Sequence, residues 1–187
     1  MSRSAPSVRE ATPGDAEELL QLWATADRTG DGAPRPVEDA ARGLANLAAD
    51  PDTRLLVAVM DEQIAAALQV GRGPISPLVD DEVVHTSFLL VRPEFRKQGL
   101  ARCLLEAAVA WAEEKDARAI TAITDTNRDT NRFFARLGLG TFATVRYSTT
   151  SALRKRLSEG ARVPGGNRHL REVLAQRRSM RRRQGRD

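Results

Sequence analysis

Residues 88–117 read FLLVRPEFRKQGLARCLLEAAVAWAEEKDA, and this stretch predicts the organisation of the fold. The apolar run Phe88–Val91 indicates a buried strand, which ends at Pro93 because proline cannot donate to a ladder. A basic turn containing Gly99 then opens a helix with apolar side chains at helical spacing. Free backbone N–H groups and the positive end of the helix dipole meet at this turn, so we expect it to bind an anion.

The composition is that of a globular domain followed by a basic tail. Residues 1–150 hold 17 Lys and Arg against 22 Asp and Glu, whereas residues 151–187 hold 12 against 3. The single cysteine, Cys103, cannot form an internal disulfide, which fits a reducing cytoplasm. Cys and His show no metal-ligand spacing, and no apolar run approaches the roughly 20 residues of a membrane span. We therefore expect a cytoplasmic protein that uses no metal and does not contact a membrane.

The predicted elements follow the order β-α-α-β-β-β-α-β-α-β. Hairpin strands over residues 54–60 and 63–70 are followed by a loop over 71–77 and a central strand from Glu82 to Val91. Later come a strand over 119–124, a helix over 127–137 closed by Gly138, and one or two strands over 139–147. Early hairpins with later crossovers favour a mixed sheet of about six or seven strands, with helices on both faces.

Two motifs together resemble the GNAT superfamily of N-acetyltransferases. In VRPEFRKQGLA at residues 91–101, Arg96, Gly99 and Ala101 match the family's R/Q-x-x-G-x-G/A turn after a strand. The segment NRDTNRFFARLGL at residues 127–139 is similar to the family's asparagine-led helix that ends in Leu-Gly-Phe. The resemblance implies an α/β (α+β) GNAT fold with splayed central strands over residues 1–150. A basic linker and a helix would follow over 151–187.

The resemblance also implies acetyl-CoA as the cosubstrate. The six backbone N–H groups from Lys97 to Arg102 would hold its pyrophosphate, and Gly99 would permit close approach. The pantetheine arm would pair with the central strand, and Asn127 would form a hydrogen bond with it. The implied binding residues are Leu89, Leu90, Val91, Lys97, Gln98, Gly99, Leu100, Ala101, Arg102 and Asn127. Further phosphate contacts are open to Arg96, Lys97, Arg102 and Arg128.

The implied reaction is direct attack of a primary amine on the thioester carbonyl, which a backbone N–H such as that of Val91 would polarise. A base must take the amine proton. His85 is the first candidate, because imidazole titrates near neutral pH and the arylalkylamine branch of the family has a histidine at this offset. Glu82 is the alternative base. Both residues also have ordinary interpretations, His85 as a sheet-face histidine and Glu82 as a solvated carboxylate.

The general acid is left open, because Phe134 stands where many family members have tyrosine. Tyr147, the only tyrosine, is a weak substitute. The acceptor would enter between the first two helices and the loops over 28–36 and 71–81. Negative charge at this mouth, which favours a cationic amine, would come from Asp31, Asp80, Asp81 and Glu82.

A basic helix is predicted after Asn167, and three roles for it stay open. It could dock on the domain, contact a second copy in a homodimer, or bind nucleic-acid phosphates. The alternative function is therefore a non-catalytic CoA-binding or nucleic-acid-associated sensor that uses this tail.

Overall fold

The computed structural model describes residues 5–25, 35–78, 81–125 and 127–160. In chain order its elements are β1 (Ser7–Glu10), a 3-10 turn (Pro13–Asp15), α1 (Ala16–Ala24), α2 (Val37–Ala49), β2 (Thr53–Met60), β3 (Gln63–Pro74), β4 (Glu82–Val91), a 3-10 turn (Pro93–Phe95), α3 (Leu100–Glu114), β5 (Ile120–Ala122), α4 (Arg128–Arg136) and α5 (Thr150–Gly160). Residues up to Thr141 belong to one compact unit and those from Phe142 to a second. No helix in these ranges is long and apolar enough to cross a membrane.

The sheet of the first unit has the strand order β1-β2-β3-β4-β5. The first three pairings are antiparallel and β4 pairs with β5 in parallel, which confirms the predicted mixed sheet. Two separate apolar clusters cover its faces. Leu100 and Leu104 of α3 pack with one set of strand residues, and Leu19 and Leu22 of α1 pack with the other. Strand side chains alternate between the two faces of the sheet. The cluster to which a strand residue belongs therefore shows which helix layer it faces.

A bulge interrupts β4 at the residues where the sequence indicates a continuous buried run. Ala67 pairs with Leu90 and Gln69 pairs with Ser87, so two residues of β4 lie opposite a single residue of β3. Phe88, one of these two, has a φ of 53° and is 45% exposed. The prediction of a buried residue is wrong at Phe88, because the bulge turns its side chain out of the core. Its ring centroid lies 6.2 Å from that of Trp23.

Strand β3 is longer than the sequence indicates. The predicted loop is wrong over residues 71–74, which continue the ladder with Gly71 opposite His85 and Gly73 opposite Val83. Local propensity favours a loop at Gly-Arg-Gly-Pro. Here β4 supplies a partner along this whole length, and the ladder bonds outweigh the weak propensity.

The sheet contains five strands among the described residues, fewer than the six or seven predicted. Residues 139–147, where one or two final strands are predicted, carry no ladder. Phe142, Val145 and Tyr147 in this stretch are all exposed. Alternating apolar residues predict a strand only when a partner strand satisfies the backbone, and this stretch has none among the described residues. The helix predicted after Asn167 lies outside the described ranges.

The carboxylate of Asp15 holds the start of α1. It accepts hydrogen bonds from Arg9 Nη1 and Nη2 at 2.7 and 2.8 Å and from the Thr12 N–H at 2.7 Å. The Arg9 bonds, followed by those from Thr12, lower the pKa of Asp15 from 3.8 to about 2. The ionised carboxylate is therefore part of the folded structure at neutral pH.

Replacing Asp15 by asparagine should destabilise the protein at pH 7 by about 1–2 kcal/mol, after allowance for solvent screening. Because the folded pKa lies below the unfolded value, this stabilisation is complete above about pH 4 and is lost as the pH falls towards 2. Urea unfolding between pH 7 and pH 3 measures the difference in the free energy of unfolding between wild type and variant, called the gap below. Glu17→Gln, in the first turn of α1, is the charge-matched control. A gap that does not narrow with falling pH would contradict the assignment.

Candidate functional site

The turn before α3 presents a row of free donors. Lys97 and Gly99 both have left-handed backbones, with φ of 60° and 84°. Among the described residues none accepts a hydrogen bond from the five backbone N–H groups of residues 97–101. The sixth predicted donor, the Arg102 N–H, is occupied, because it donates to the Gly99 carbonyl at 2.9 Å. Alternating backbone conformations with unpaired donors form a concave nest for an anion such as phosphate.

The cationic side chains that the sequence offers for outer phosphate contacts are only partly engaged by other residues. Arg102 Nε bonds to Glu106 at 2.9 Å, which raises the Arg102 pKa and offsets its charge. Arg96, Lys97 and Arg128 form no ion pair with any described residue. They therefore remain candidates for outer phosphate contacts, a role that stays a prediction.

Beside the turn, the edge of β4 that faces β5 is open over half its length. The β4–β5 pairing covers only Val84–Thr86, and its last bond runs from the Ile123 N–H to the Thr86 carbonyl at 2.8 Å. Residues 87–91, which include the predicted Leu89, Leu90 and Val91, have no partner on that edge among the described residues. An extended ligand can pair with backbone groups there as an added strand would.

Asn127 stands at the start of α4, as predicted, with its side chain already in use. Its Oδ1 accepts from the Thr130 N–H at 2.8 Å, which makes it the N-cap. Its Nδ2 donates to Asp125 Oδ2 at 2.7 Å. One amide hydrogen and one carbonyl lone pair are left for a ligand.

A group of side chains that sequence reasoning missed joins α1 to the end of β4. Arg92 Nε donates to the Ile64 carbonyl at 2.7 Å, and Glu18 accepts from the Ile64 N–H at 2.5 Å. The two side chains complete the backbone pairing of Ile64 where β4 leaves the sheet. The Arg92 side chain is only 13% exposed. The one sequence signal for Arg92 is its position, because it is a charged residue between an apolar strand and a proline.

The two candidate bases lie on opposite faces of the sheet. Val84 packs in the α3 cluster, so alternation puts Glu82 on that side and His85 on the side of α1 and α2. Glu82 Oε2 lies 2.5 Å from Arg72 Nε, and an Asp52 oxygen lies 3.5 Å from the same nitrogen. His85 is half-buried, and its Nδ1 lies 2.8 Å from Thr121 Oγ1. Glu82 is thus held in an ion pair, whereas the other ring nitrogen of His85 has no partner among the described residues.

The predicted acidic mouth is described only in part. Residues 26–34, 79 and 80 lie outside the described ranges, and so do Asp31 and Asp80. Asp81 bonds to Arg118 Nη1 at 2.6 Å, and Glu82 is paired with Arg72. The described carboxylates of this mouth are therefore balanced by arginines.

Phe134, at the position of the family's tyrosine, is a core residue. Its side chain is 7% exposed within the α3 cluster and meets Phe133 edge-on at 5.2 Å. A buried phenyl ring has no proton to donate, so this position supplies no general acid.

Comparison with known proteins places this geometry in context. The model of the family described as acetyltransferase (GNAT) matches residues 16–139. The chain is 28% identical over 127 residues to aminoglycoside N(6')-acetyltransferase type 1 of Stenotrophomonas maltophilia, which is 65% of this chain and 77% of that protein.

Solved structures share the fold. A transcriptional regulator from Bacillus halodurans C-125 matches with a TM-score of 0.68 and 26% identity, over 78% of this chain and 100% of that one. An aminoglycoside N-acetyltransferase solved in complex with CoA matches with a TM-score of 0.65 and 16% identity, over 80% of this chain and 97% of that one.

Proposed function

The chain belongs to the acetyltransferase (GNAT) family and is an N-acetyltransferase, and from this premise we propose that it moves an acetyl group from acetyl-CoA directly to a primary amine. The observation that carries the proposal is the row of five unpaired N–H groups at residues 97–101, which adjoins the open edge of β4. One feature binds phosphates and the other binds an extended amide-bearing arm. CoA contains both groups in that order.

The turn before α3 and the open edge of β4 each have a role in this proposal. The N–H groups of residues 97–101 hold the pyrophosphate, and backbone groups of Leu89 and Val91 pair with the pantetheine arm. The backbone groups of Leu90 face Ala67 of β3 instead, so Leu90 contributes no backbone bond on the open edge. Acetyl-CoA, when bound, supplies the thioester carbonyl. An N–H on the open edge polarises that carbonyl, and positioning of the two reactants supplies much of the rate. The Val91 N–H lies six residues, roughly 20 Å of strand, beyond His85, so an N–H nearer to Ser87 fits a reaction that uses His85 as base.

His85 is the base in this proposal. It lies on the face of α1 and α2, where the sequence predicts that the acceptor enters, and one of its ring nitrogens is free to take a proton. Glu82 is the weaker candidate, because its carboxylate is engaged by Arg72 on the other face. With phenylalanine at position 134, the leaving thiolate takes its proton from water.

The comparisons give no support to the alternative of a non-catalytic CoA or nucleic-acid sensor. Most of the basic tail that it requires, residues 161–187 of 151–187, lies outside the described ranges. A homodimer, which the sequence also leaves open, stays a prediction.

A thiol-release assay tests the proposed function. The purified protein is mixed with acetyl-CoA and, in turn, with neamine, spermidine, tryptamine, N-acetyl-lysine amide carrying a free ε-amine, and a peptide with a free N-terminus. We expect at least one amine to accelerate thiol release by 10-fold or more over the amine-free reaction, with mass spectrometry showing the acetylated amine. CoA binding without amine-dependent release from any of the five would contradict the proposal.

A further inference from the structure

Two glycines lie in β3 beside His85, and the fold itself does not require either of them. Neither has a positive φ, so the backbone does not need glycine. A Cβ built at Gly73 would meet nothing closer than 3.8 Å, and one at Gly71 nothing closer than 3.7 Å. Alanine would therefore fit at both positions, and it would stabilise the strand, because glycine loses more entropy on folding. Glycine inside a strand often marks a place where a ligand approaches closely.

The glycines leave bare backbone on the same face as the His85 ring. Gly71 lies directly opposite His85 in the ladder, and Gly73 lies opposite Val83. Residues opposite each other in antiparallel strands share a face, so both glycines are on the side of α1 and α2. The two atoms nearest to a Cβ at Gly73 are Cδ2 and Nε2 of His85, both at 3.8 Å. The backbone over Gly71 and Gly73 forms a strip without side chains, and Nε2, the free nitrogen of the His85 ring, borders it.

Nδ1, the other nitrogen of the His85 ring, forms a hydrogen bond with a residue of β5. Thr121 Oγ1 lies 2.8 Å from His85 Nδ1, and the parallel register places these residues side by side. The backbone of Thr121 is itself anchored, because its carbonyl accepts a hydrogen bond from Thr86 Oγ1 at 3.0 Å. Thr86 is only 2% exposed. The hydroxyl of Thr121 is therefore in place before any ligand binds, and it selects the orientation of the ring.

We propose that the backbone strip over Gly71 and Gly73 receives the aminomethyl end of the acceptor against Nε2 of His85, and that Thr121 is the residue that positions this imidazole. The inference rests on the proposed function and names its acceptor class, a primary amine on an unbranched carbon. A methyl group added at Gly73, or a branch on the carbon that carries the amine, would occupy the space that this end of the acceptor needs. In the reaction the new N–C bond forms as the C–S bond breaks. His85 Nε2 takes the amine proton, and CoA leaves as the thiolate, which water protonates.

Gly73→Ala tests the strip. With the amine that the wild type acetylates fastest, we expect KM for the amine to rise by roughly 10-fold or more, because one methyl group is worth that much in a close-fitting site. KM for acetyl-CoA should change by less than about 2-fold, and the melting temperature should not fall. The matched control is Gly43→Ala on the exposed side of α2, where a Cβ meets nothing within 4 Å. An unchanged KM, or a lower melting temperature in Gly73→Ala, would overturn the proposal.

Thr121→Val tests the positioning, and its main readout needs no turnover. The chain has only two histidines, so a ¹⁵N spectrum contains two imidazoles, and His85→Gln assigns the signal of interest. We expect the Nδ1 signal of His85 to be shifted by its hydrogen bond to the hydroxyl in the wild type and in Thr121→Ser, and to lack that shift in Thr121→Val. The valine variant should also lose roughly 10-fold in kcat at unchanged KM for acetyl-CoA. Identical ring shifts in wild type and Thr121→Val would overturn the positioning role.

These experiments distinguish failure of this inference from failure of the proposed function. If the wild type acetylates an amine while Gly73→Ala and Thr121→Val behave as wild type, only this inference fails. If no amine in the panel is acetylated, the proposed function fails first, whatever the spectra show.

Discussion

Replacing Gly99 by glutamate is expected to weaken CoA binding by more than 100-fold. The new carboxylate would stand at the mouth of the turn where residues 97–101 present their free N–H groups. At about 5 Å and an effective dielectric of about 20, its repulsion of one phosphate charge is about 3 kcal/mol, and a pyrophosphate carries two charges. Gly99 also has a φ of 84°, which an L residue adopts at a cost of about 1–2 kcal/mol.

Two variants separate these causes. Gly99→Ala introduces the backbone strain without the charge, and we expect it to weaken CoA binding much less. Gly138→Glu is the matched control for the fold, since Gly138 also has a φ of 84° and open space around its Cβ position, but lies after α4. It should bind CoA as the wild type does. Calorimetric titration with CoA measures all three. Wild-type affinity in Gly99→Glu would show that this turn does not hold the pyrophosphate.

The unpaired donors of the turn before α3 could be predicted from the sequence because their causes are local. A proline ends the strand, a glycine takes the left-handed position, and the first turn of a helix always leaves unpaired N–H groups. Ten consecutive residues contain all of these causes. Local reasoning failed only at Arg102, whose N–H bonds back to the Gly99 carbonyl and leaves five free donors instead of six.

The acceptor side could not be predicted in the same way, because its causes are distant in sequence. The bulge at Phe88 depends on the register with β3, and a single apolar run carries no information about register. Glu18 and Arg92 meet at Ile64 across α1, β3 and β4. Gly71 and Gly73 look like loop residues until β4 pairs with them. Thr121, 36 residues after His85, becomes its partner only through a parallel crossover.

Replacing His85 by glutamine should lower kcat by roughly 100-fold or more, the effect expected from loss of a general base. CoA affinity should stay within about 2-fold of wild type, because the phosphate turn and the open edge of β4 do not involve this side chain. The wild-type rate should decline on the acid side as the base is protonated, and this decline should be absent in the variant. Steady-state rates with the best amine from pH 5 to pH 9 measure both effects.

The same experiment on Glu82→Gln decides between the two candidate bases. Glu82 and His85 lie on one strand but on opposite faces, and only His85 faces the side of α1 and α2. Removing the Glu82 charge leaves Arg72 with Asp52, whose oxygen is 3.5 Å from Arg72 Nε, so we expect a modest loss of stability and a nearly unchanged pH profile. If Glu82→Gln loses more activity than His85→Gln and loses the acid-side decline, the base lies on the α3 face. The acceptor strip over Gly73 would then be on the wrong side of the sheet.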